Sequence, residues 1–249
     1  MGRRRRRGEQ LALRARTWGG ARAGAGRPRT SRRVSHDTRP EHVAREPLHV
    51  TLRARRGVPS FRQQVTFRAL VWALARAHKS DFRVLHFSFQ HDHAHLIVEA
   101  ADKETLARGA QGMNVRLARA LNRAVGRKGG VWADRYHARP LRTPREVRNA
   151  LVYVLANHKK HAAAVPASCA SRTPRERASI DPFSSAPWFS GWTSRAGPLL
   201  APLAVALAAA TASRALPRSP AAAPRTWLAA ASWQRHGLLD PAESPAPRG

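Results

Sequence analysis

Cysteine is almost absent from this chain of 249 residues, which contains a single one, Cys169. One cysteine excludes an internal disulfide framework and any zinc site that depends on cysteine ligands. Such a chain suits a reducing compartment, so we expect a cytoplasmic protein.

The sequence also lacks an uninterrupted apolar run of membrane-spanning length. The apolar stretch at residues 199–210 contains Pro202 and is shorter than the roughly 18 residues that indicate a membrane span. The arginines at positions 3–7 resemble the start of a signal peptide, but Arg14 and Arg16 interrupt the apolar segment that would have to follow. We therefore expect no membrane partner.

Acidic residues are few, because 15 Asp and Glu stand against 45 Lys and Arg, which gives a formal net charge of +30. Such a charge attracts polyanions and makes their binding strongly dependent on salt. Nucleic acid is therefore the first partner to consider. Only five of the cations are lysines, and a GC-rich coding sequence would yield the same composition without selection for binding, so the charge alone does not decide.

Composition divides the chain into three parts. Residues 1–46 are rich in Arg and Gly and lack periodicity, which is typical of a disordered basic arm. Residues 47–162 carry the signals of strands and helices and have the size of an ordinary domain. Residues 163–249 are rich in Pro and Ala, and we expect a loosely structured tail with one helix at 226–236.

The central part has the pattern of a βαββαβ unit followed by a helix. Alternating or apolar runs predict strands at 49–53, 82–89, 93–99 and within 132–141. Helix starts are indicated by Ser60 with Gln63, by Asp102, and by Thr143 with Pro144 and Glu146. This order predicts an α+β fold, a split βαβ sandwich of antiparallel sheet and helices.

Two histidines, a tyrosine and an asparagine carry the chemical pattern. His93 and His95 are two residues apart on a predicted strand, so both rings leave the same face and can bind one cation. Tyr153 and Asn157 are four residues apart on a predicted helix and share one helical face with Asn149. A lone His-x-His is more often an ordinary surface or packing pair. The apolar strand and the oxygen of Asn157 in phase with a tyrosine favour a metal site.

A second set of residues is a candidate for DNA binding. Arg116, Arg119 and Arg123 share a face of the second predicted helix and are candidates for contacts with the DNA backbone. Trp132 and Tyr136 are candidates for stacking on an unpaired base. A solvated helix face explains the arginines equally well, and packing is an alternative for Tyr136.

The segment His93-Ala-His95 together with Tyr153 and Asn157 resembles the single-tyrosine HUH transposases, especially the REP-associated tyrosine transposases and related insertion-sequence enzymes. The likeness extends from about residue 49 to about residue 161. It implies a ferredoxin-like antiparallel sheet packed against helices, with His93, His95 and Asn157 as metal ligands and Tyr153 as the nucleophile.

The chain departs from the family pattern at three positions. Asp92 stands where relatives often have Asn, Ala94 replaces a bulkier apolar residue, and His158 replaces a proline. These departures bear on the strength of metal binding and on the register of the helix.

The resemblance implies a DNA transposase, a single-strand endonuclease that acts in DNA transposition and recombination on single-stranded or hairpin DNA. Attack by Tyr153 would leave a 5′-phosphotyrosine and a free 3′-hydroxyl, with Mg²⁺ or Mn²⁺ as the cofactor. A bacterial-type cytoplasm, in association with the nucleoid, is the expected location. Relatives act as monomers or dimers, so a homodimer stays open.

Two other functions remain open at this point. One is a non-catalytic basic nucleic-acid-binding protein, a decayed or domesticated transposase. The other is a His-x-His metallohydrolase, whose cleavage would not need Tyr153.

Overall fold

The computed structural model describes residues 42–162, 178–217 and 219–245. The predicted basic arm therefore lies almost entirely outside the described residues, as does the start of the tail. The described strands and α-helices follow in the order β1 (Leu48–Arg53), α1 (Gln64–Ala75), β2 (Phe82–Phe89), β3 (His93–Ala100), α2 (Lys103–Ala124), β4 (His137–Pro140), α3 (Pro144–Leu155), α4 (Asn157–Ala162), α5 (Gly197–Ala212) and α6 (Trp227–Ala230).

The four strands form one antiparallel sheet in the order β2-β3-β1-β4. The first and third strands pair along their length, with Thr51 opposite His95 and Arg53 opposite His93. On the other side of β1, β4 places His137 opposite Thr51. This is the ferredoxin-like arrangement of a split βαβ fold, so the predicted α+β class is confirmed.

Side chains alternate between two faces of this sheet. The core face is defined by Leu48, Val50 and Leu52 of β1 with Leu96 and Val98 of β3, all of which are buried in one apolar cluster. Helices α1 and α2 cover this face with their apolar stripes, which include Phe67, Leu70 and Leu74 of α1 and Leu106, Met113, Leu117 and Leu121 of α2.

The opposite face, here called the site face, is defined by His49, Thr51, His93, His95 and Ile97. Helix α3 covers only its β2 side, where Ile97 and Leu85 are buried in a second apolar cluster with the inward stripe of α3. The register shift of β2 between Val84 and His86 turns Leu85 towards this cluster.

Two of the three predicted helix starts are confirmed. The side chain of Asp102 accepts a hydrogen bond from the backbone N–H of Thr105 at the start of α2. At α3, Thr143 and Glu146 form a reciprocal capping box. The predicted cap at Ser60 is wrong, because α1 begins only at Gln64, and the Ser60 hydroxyl instead lies 3.0 Å from Nδ1 of His91.

The tail, defined as the described residues between 178 and 245, consists of short helices joined by irregular segments. Its apolar side chains pack on the outer side of α3 and complete the second cluster: Ile180, Phe189, Trp192, Leu228, Trp233 and Leu239. The predicted helix at 226–236 is present in two pieces, α6 and a 3₁₀ turn at Ser232–His236, with Thr226 as its cap and Gly237 at its end in a left-handed conformation.

Polar contacts also join the tail to the domain. Asp181 is fully buried and accepts two hydrogen bonds of 2.9 Å from the guanidinium of Arg62. On α3, Arg148 forms a similar bidentate pair with the carboxylate of Glu243. The tail is therefore joined both to the segment before α1 and to α3, the helix that carries Tyr153.

One helical stretch in the described part of the chain is long and apolar enough to cross a membrane, by length and composition alone. It runs over Ser194–Ala212, 19 residues, and almost none of its most apolar part is buried. The apolar run at 199–210 lies within this stretch, and the helical turns continue back to Ser194. Length and composition alone do not make this helix a membrane span.

Candidate active site

The site begins with the pairing of β1 and β3. Strand alternation places His93, His95 and His49 on the site face, and Thr51 lies directly opposite His95. The ring centroids of His93 and His95 are 4.9 Å apart. The predicted pair of imidazoles on one face is therefore present.

Helix α3 brings Tyr153 to the same place. The centroid of the Tyr153 ring lies 4.9 Å from that of His95, with the two planes at 82°. Tyr153 is half-buried, whereas His95 is buried at 2% exposure. The structure thus brings Tyr153, the predicted nucleophile, next to His95, one of the two predicted metal ligands.

A third imidazole, which was not among the residues predicted from the sequence, belongs to the site. The ring of His49 lies 5.3 Å from that of His95 and 5.5 Å from that of Tyr153. The sequence signal that could have indicated His49 is its spacing of two residues from Thr51 on a predicted strand, which puts both side chains on one face. Lys160 places its ammonium 5.6 Å from the centre of the Tyr153 ring, and no sequence pattern indicated that contact.

Each of the two predicted ligand histidines has a partner for its Nδ1 atom. His93 donates from Nδ1 to a carboxylate oxygen of Asp92 over 2.8 Å, and Nδ1 of His95 lies 3.2 Å from the hydroxyl of Thr51. The hydrogen bond from His93, aided by the charges of His93 and Arg53, holds the pKa of Asp92 below its ordinary value against the effect of burial. Partners of this kind orient an imidazole so that Nε2 is presented to a ligand.

Asn157 lies in a different setting from the one predicted. Helix α3 ends at Leu155, with Ala156 as its C-cap, and Asn157 begins the separate helix α4. The prediction of one continuous helix with Asn149, Tyr153 and Asn157 on one face is therefore wrong. Asn149 is exposed, whereas Asn157 is fully buried.

The amide of Asn157 is nonetheless unusual. Both its oxygen and its nitrogen are buried and make no hydrogen bond within the described residues. A buried amide without a partner is costly to a fold, so such a group is a candidate for binding a ligand. Among the residues that the structure describes, no three His, Cys, Asp or Glu side chains are grouped to hold a metal ion. The oxygen of an asparagine can also bind a metal ion, and Asn157 is not one of these four residue types.

A model of the IS200-like transposase family matches residues 43–156, the stretch from just before β1 to the end of α3. This domain belongs to the IS200-like transposase family. The resemblance indicated by His93, His95 and Tyr153 is thereby confirmed, and the tail lies outside the matched residues.

Among solved structures, the chain is similar to a REP-associated tyrosine transposase bound to a REP hairpin. The TM-score is 0.43 at 15% sequence identity, and the match covers 61% of this chain and 82% of that chain. No curated protein sequence matches the chain.

The structure places the predicted DNA-binding arginines away from the tyrosine of the transposase domain. Arg116, Arg119 and Arg123 are exposed on α2. That helix packs on the core face, whereas Tyr153 contacts the site face. If these arginines bind DNA, they do so on the side of the sheet opposite to Tyr153. Their role in DNA binding stays a prediction.

The two predicted stacking residues are engaged in packing. Tyr136 is buried at 9% exposure in the core cluster, and Trp132 packs against the same cluster. The indole N–H of Trp132 donates to the carbonyl of Asn114, and its ring meets that of Phe61 edge-on at 5.9 Å. A base-stacking role for either ring stays a prediction.

His158, which departs from the pattern that the resemblance implies, makes contacts with the tail. Nε2 of His158 lies 2.7 Å from the hydroxyl of Ser179, and its Nδ1 lies 3.9 Å from the buried carboxylate of Asp181. Burial lowers the pKa of His158, although the nearby Asp181 charge raises it. This histidine therefore connects α4 to the tail.

Proposed function

We propose that the transposase domain cuts and rejoins single-stranded or hairpin DNA with Tyr153 as its nucleophile. The observation that carries the proposal is the contact of the Tyr153 ring with the His95 ring at 4.9 Å, on the face that also carries His93. A tyrosine held next to imidazoles on a sheet supports this role, because covalent catalysis benefits from a nucleophile fixed beside groups that can bind a metal or move a proton.

In the proposed reaction, the phenolic oxygen of Tyr153 forms a bond to the scissile phosphorus while the bond from phosphorus to the 3′-oxygen breaks. The phenol loses its proton, and the departing 3′-oxygen gains one from water. The products are a 5′-phosphotyrosine and a 3′-hydroxyl. The reverse attack by a 3′-hydroxyl rejoins a strand, so no separate energy source is needed.

The imidazole and amide donors of His93, His95 and Asn157 suit a divalent cation by their chemistry. We assign its binding to Nε2 of His93, Nε2 of His95 and the amide oxygen of Asn157. The Nδ1 partners Asp92 and Thr51 support this assignment, as does the buried, unpartnered amide. When bound, Mg²⁺ or Mn²⁺ would supply positive charge that polarises the phosphoryl oxygens. Imidazole ligands favour Mn²⁺, and cellular abundance favours Mg²⁺.

A covalent-adduct assay tests the proposal. The full chain is incubated with an end-labelled single strand containing a hairpin, in Mg²⁺ or Mn²⁺, and the products are separated on a denaturing gel. We expect a protein–DNA adduct for the unaltered chain and its complete loss in Tyr153→Phe, with DNA affinity unchanged. Tyr136→Phe is the matched control, because it removes the other phenol from a buried position on the opposite face.

Two outcomes would contradict the proposal, and each would favour a different function. DNA binding without an adduct in either metal would favour the non-catalytic nucleic-acid-binding protein. Cleavage that survives Tyr153→Phe would favour a metallohydrolase that activates water at His93 and His95.

A further inference from the structure

Positive charge flanks the central row of the site face on both sides. That row pairs His95 with Thr51. Arg139 of β4 lies opposite His49, which is two residues from Thr51 along β1. Arg53 lies two residues from Thr51 in the other direction, opposite His93. Because paired residues of antiparallel strands project from the same face, both arginines emerge on the side of the sheet that Tyr153 contacts.

This half of the site face is open to solvent. Helix α3 covers the β2 side, where Ile97 is buried, whereas the side chains of Arg53 and Arg139 are 73% and 52% exposed. A long ligand that reaches Tyr153 therefore approaches over β1 and the edge strand β4.

Both guanidinium groups are oriented by an acidic neighbour. Nε of Arg53 lies 3.7 Å from Asp92, and Nη1 of Arg139 lies 2.9 Å from Glu146. Each of these contacts uses one nitrogen of a group that carries five N–H donors. The acids thus orient the arginines while leaving donors to bind an anion.

We infer that Arg53 and Arg139 form a phosphate-binding edge, over which the DNA single strand lies on its way to Tyr153. The inference rests on the proposed function and names the path of its substrate. Arginine binds phosphate through two parallel N–H groups. The two positions are four residues apart along the strands, about 13 Å at ~3.3 Å per residue, which suits separate phosphates of one extended strand better than a single small anion.

The test compares variants of the full chain by the salt dependence of DNA binding. A fluorescein-labelled single strand of mixed sequence is titrated in EDTA over a series of KCl concentrations, so that binding is measured without chemistry. For Arg53→Gln/Arg139→Gln we expect roughly tenfold weaker binding, and a slope of log affinity against log salt that is smaller by about 1.4, or ~0.7 for each lost phosphate contact.

Two other double variants give the comparison. Arg68→Gln/Arg108→Gln removes the same charge from exposed positions on the core-face helices α1 and α2, and we expect the slope to stay that of the unaltered chain. Arg116→Gln/Arg119→Gln tests the face of α2 that the sequence indicated. The inference is overturned if this α2 variant lowers the slope and the edge variant does not, or if all three variants change the slope equally.

A second measurement needs no substitution. Arginines of the unaltered chain are modified with phenylglyoxal with and without the oligonucleotide, and the modified positions are identified by mass spectrometry. We expect DNA to protect Arg53 and Arg139 and to leave Arg68 reactive. Equal reactivity of Arg53 and Arg139 with and without DNA would overturn the inference even if an adduct still forms, whereas loss of the adduct with protection intact would count against the proposed function alone.

Discussion

At the level of single residues, the candidate site contains side chains that contact its two predicted ligand histidines. Thr51 contacts Nδ1 of His95, and Asp92 accepts from Nδ1 of His93. A metal-binding imidazole normally engages its second nitrogen in this way, which fixes both the tautomer and the ring orientation. The rings of His49 and His95 lie 5.3 Å apart on the same face of the sheet.

Replacement of Thr51 tests this orienting role. Thr51→Val keeps the shape of the side chain and removes the hydroxyl, so we expect Mn²⁺ to bind about 10- to 100-fold more weakly. Isothermal titration of the full chain with Mn²⁺, without DNA, measures the effect. Thr193→Val is the control, because the Thr193 hydroxyl is buried in the tail without a hydrogen-bond partner within the described residues. Equal Mn²⁺ affinities in the two variants would contradict the orienting role.

Sequence patterns predicted part of this site. A two-residue spacing on a strand was sufficient to place His93 and His95 together, and the cap at Thr143 located the helix that carries Tyr153. The local pattern did not reveal the break at Ala156, which separates Asn157 from α3. The contact of His49 with Tyr153 depends on tertiary packing of a helix on a sheet, which spacing along one strand does not report.

At the scale of elements, α2 lies unusually close to the sheet at Gly109. A Cβ atom at Gly109 would lie 2.2 Å from the ring of Phe82 on β2. Phe82 is fully buried at the start of that strand, so the ring has little room to move. The glycine is therefore required by packing, in a helix whose composition alone would favour alanine.

This close approach gives opposite predictions for two glycines of one helix. We expect Gly109→Ala to destabilise the protein by about 1 to 3 kcal/mol, because the new methyl group overlaps the Phe82 ring. Gly112→Ala should instead stabilise it by up to about 1 kcal/mol, because nothing lies within 4 Å of the added Cβ and alanine favours the helix. Urea denaturation measures both changes. A gain in stability for Gly109→Ala would show that α2 is not pressed against Phe82.

The element order was predictable because each strand and most helices carry local signals. Alternation located β1 and β3, and the caps at Asp102 and Thr143 located α2 and α3. The false cap at Ser60 followed the same rules, but its hydroxyl is engaged by His91, 31 residues away. Local rules fail where a distant partner competes for the capping group.

At the scale of the whole molecule, the transposase domain and the tail share one apolar cluster. Trp233, Leu228 and Phe189 of the tail pack with Val147 and Leu151 of α3. These contacts join residues far apart in sequence, and the hydrogen bonds from the backbone of Arg225 to Glu99 span 126 positions. A Pro- and Ala-rich composition gives little sign of such docking, which is why the sequence indicated a loosely structured tail with one helix at 226–236.

The shared cluster predicts that the domain and the tail unfold together. Trp233 is 3% exposed in this cluster, so we expect Trp233→Ala to cost about 3 to 5 kcal/mol. Circular dichroism in urea should show one transition that moves to a lower midpoint. Trp227→Ala is the matched control, since Trp227 is 54% exposed, and its loss should cost less than about 1 kcal/mol. A separate early transition in the Trp233 variant, with the main one unmoved, would mean that the tail folds apart from the domain.

The same cluster makes stability depend on pH through His86. Its ring meets Phe189 of the tail at 5.3 Å, and burial lowers its pKa from the ordinary 6.5 to about 4. Between these values the unfolded chain binds a proton that the folded chain does not, so stability falls as the pH drops from about 6.5 towards 4. Between pH 7 and pH 5 we expect His86 to account for a loss of up to about 2 kcal/mol in the free energy of unfolding.

Urea denaturation at both pH values measures this loss. The contribution of His86 should disappear in His86→Gln and persist in His236→Gln, a change at an exposed histidine. The same acid-induced loss in both variants would mean that His86 takes up its proton as readily in the folded chain as in the unfolded one.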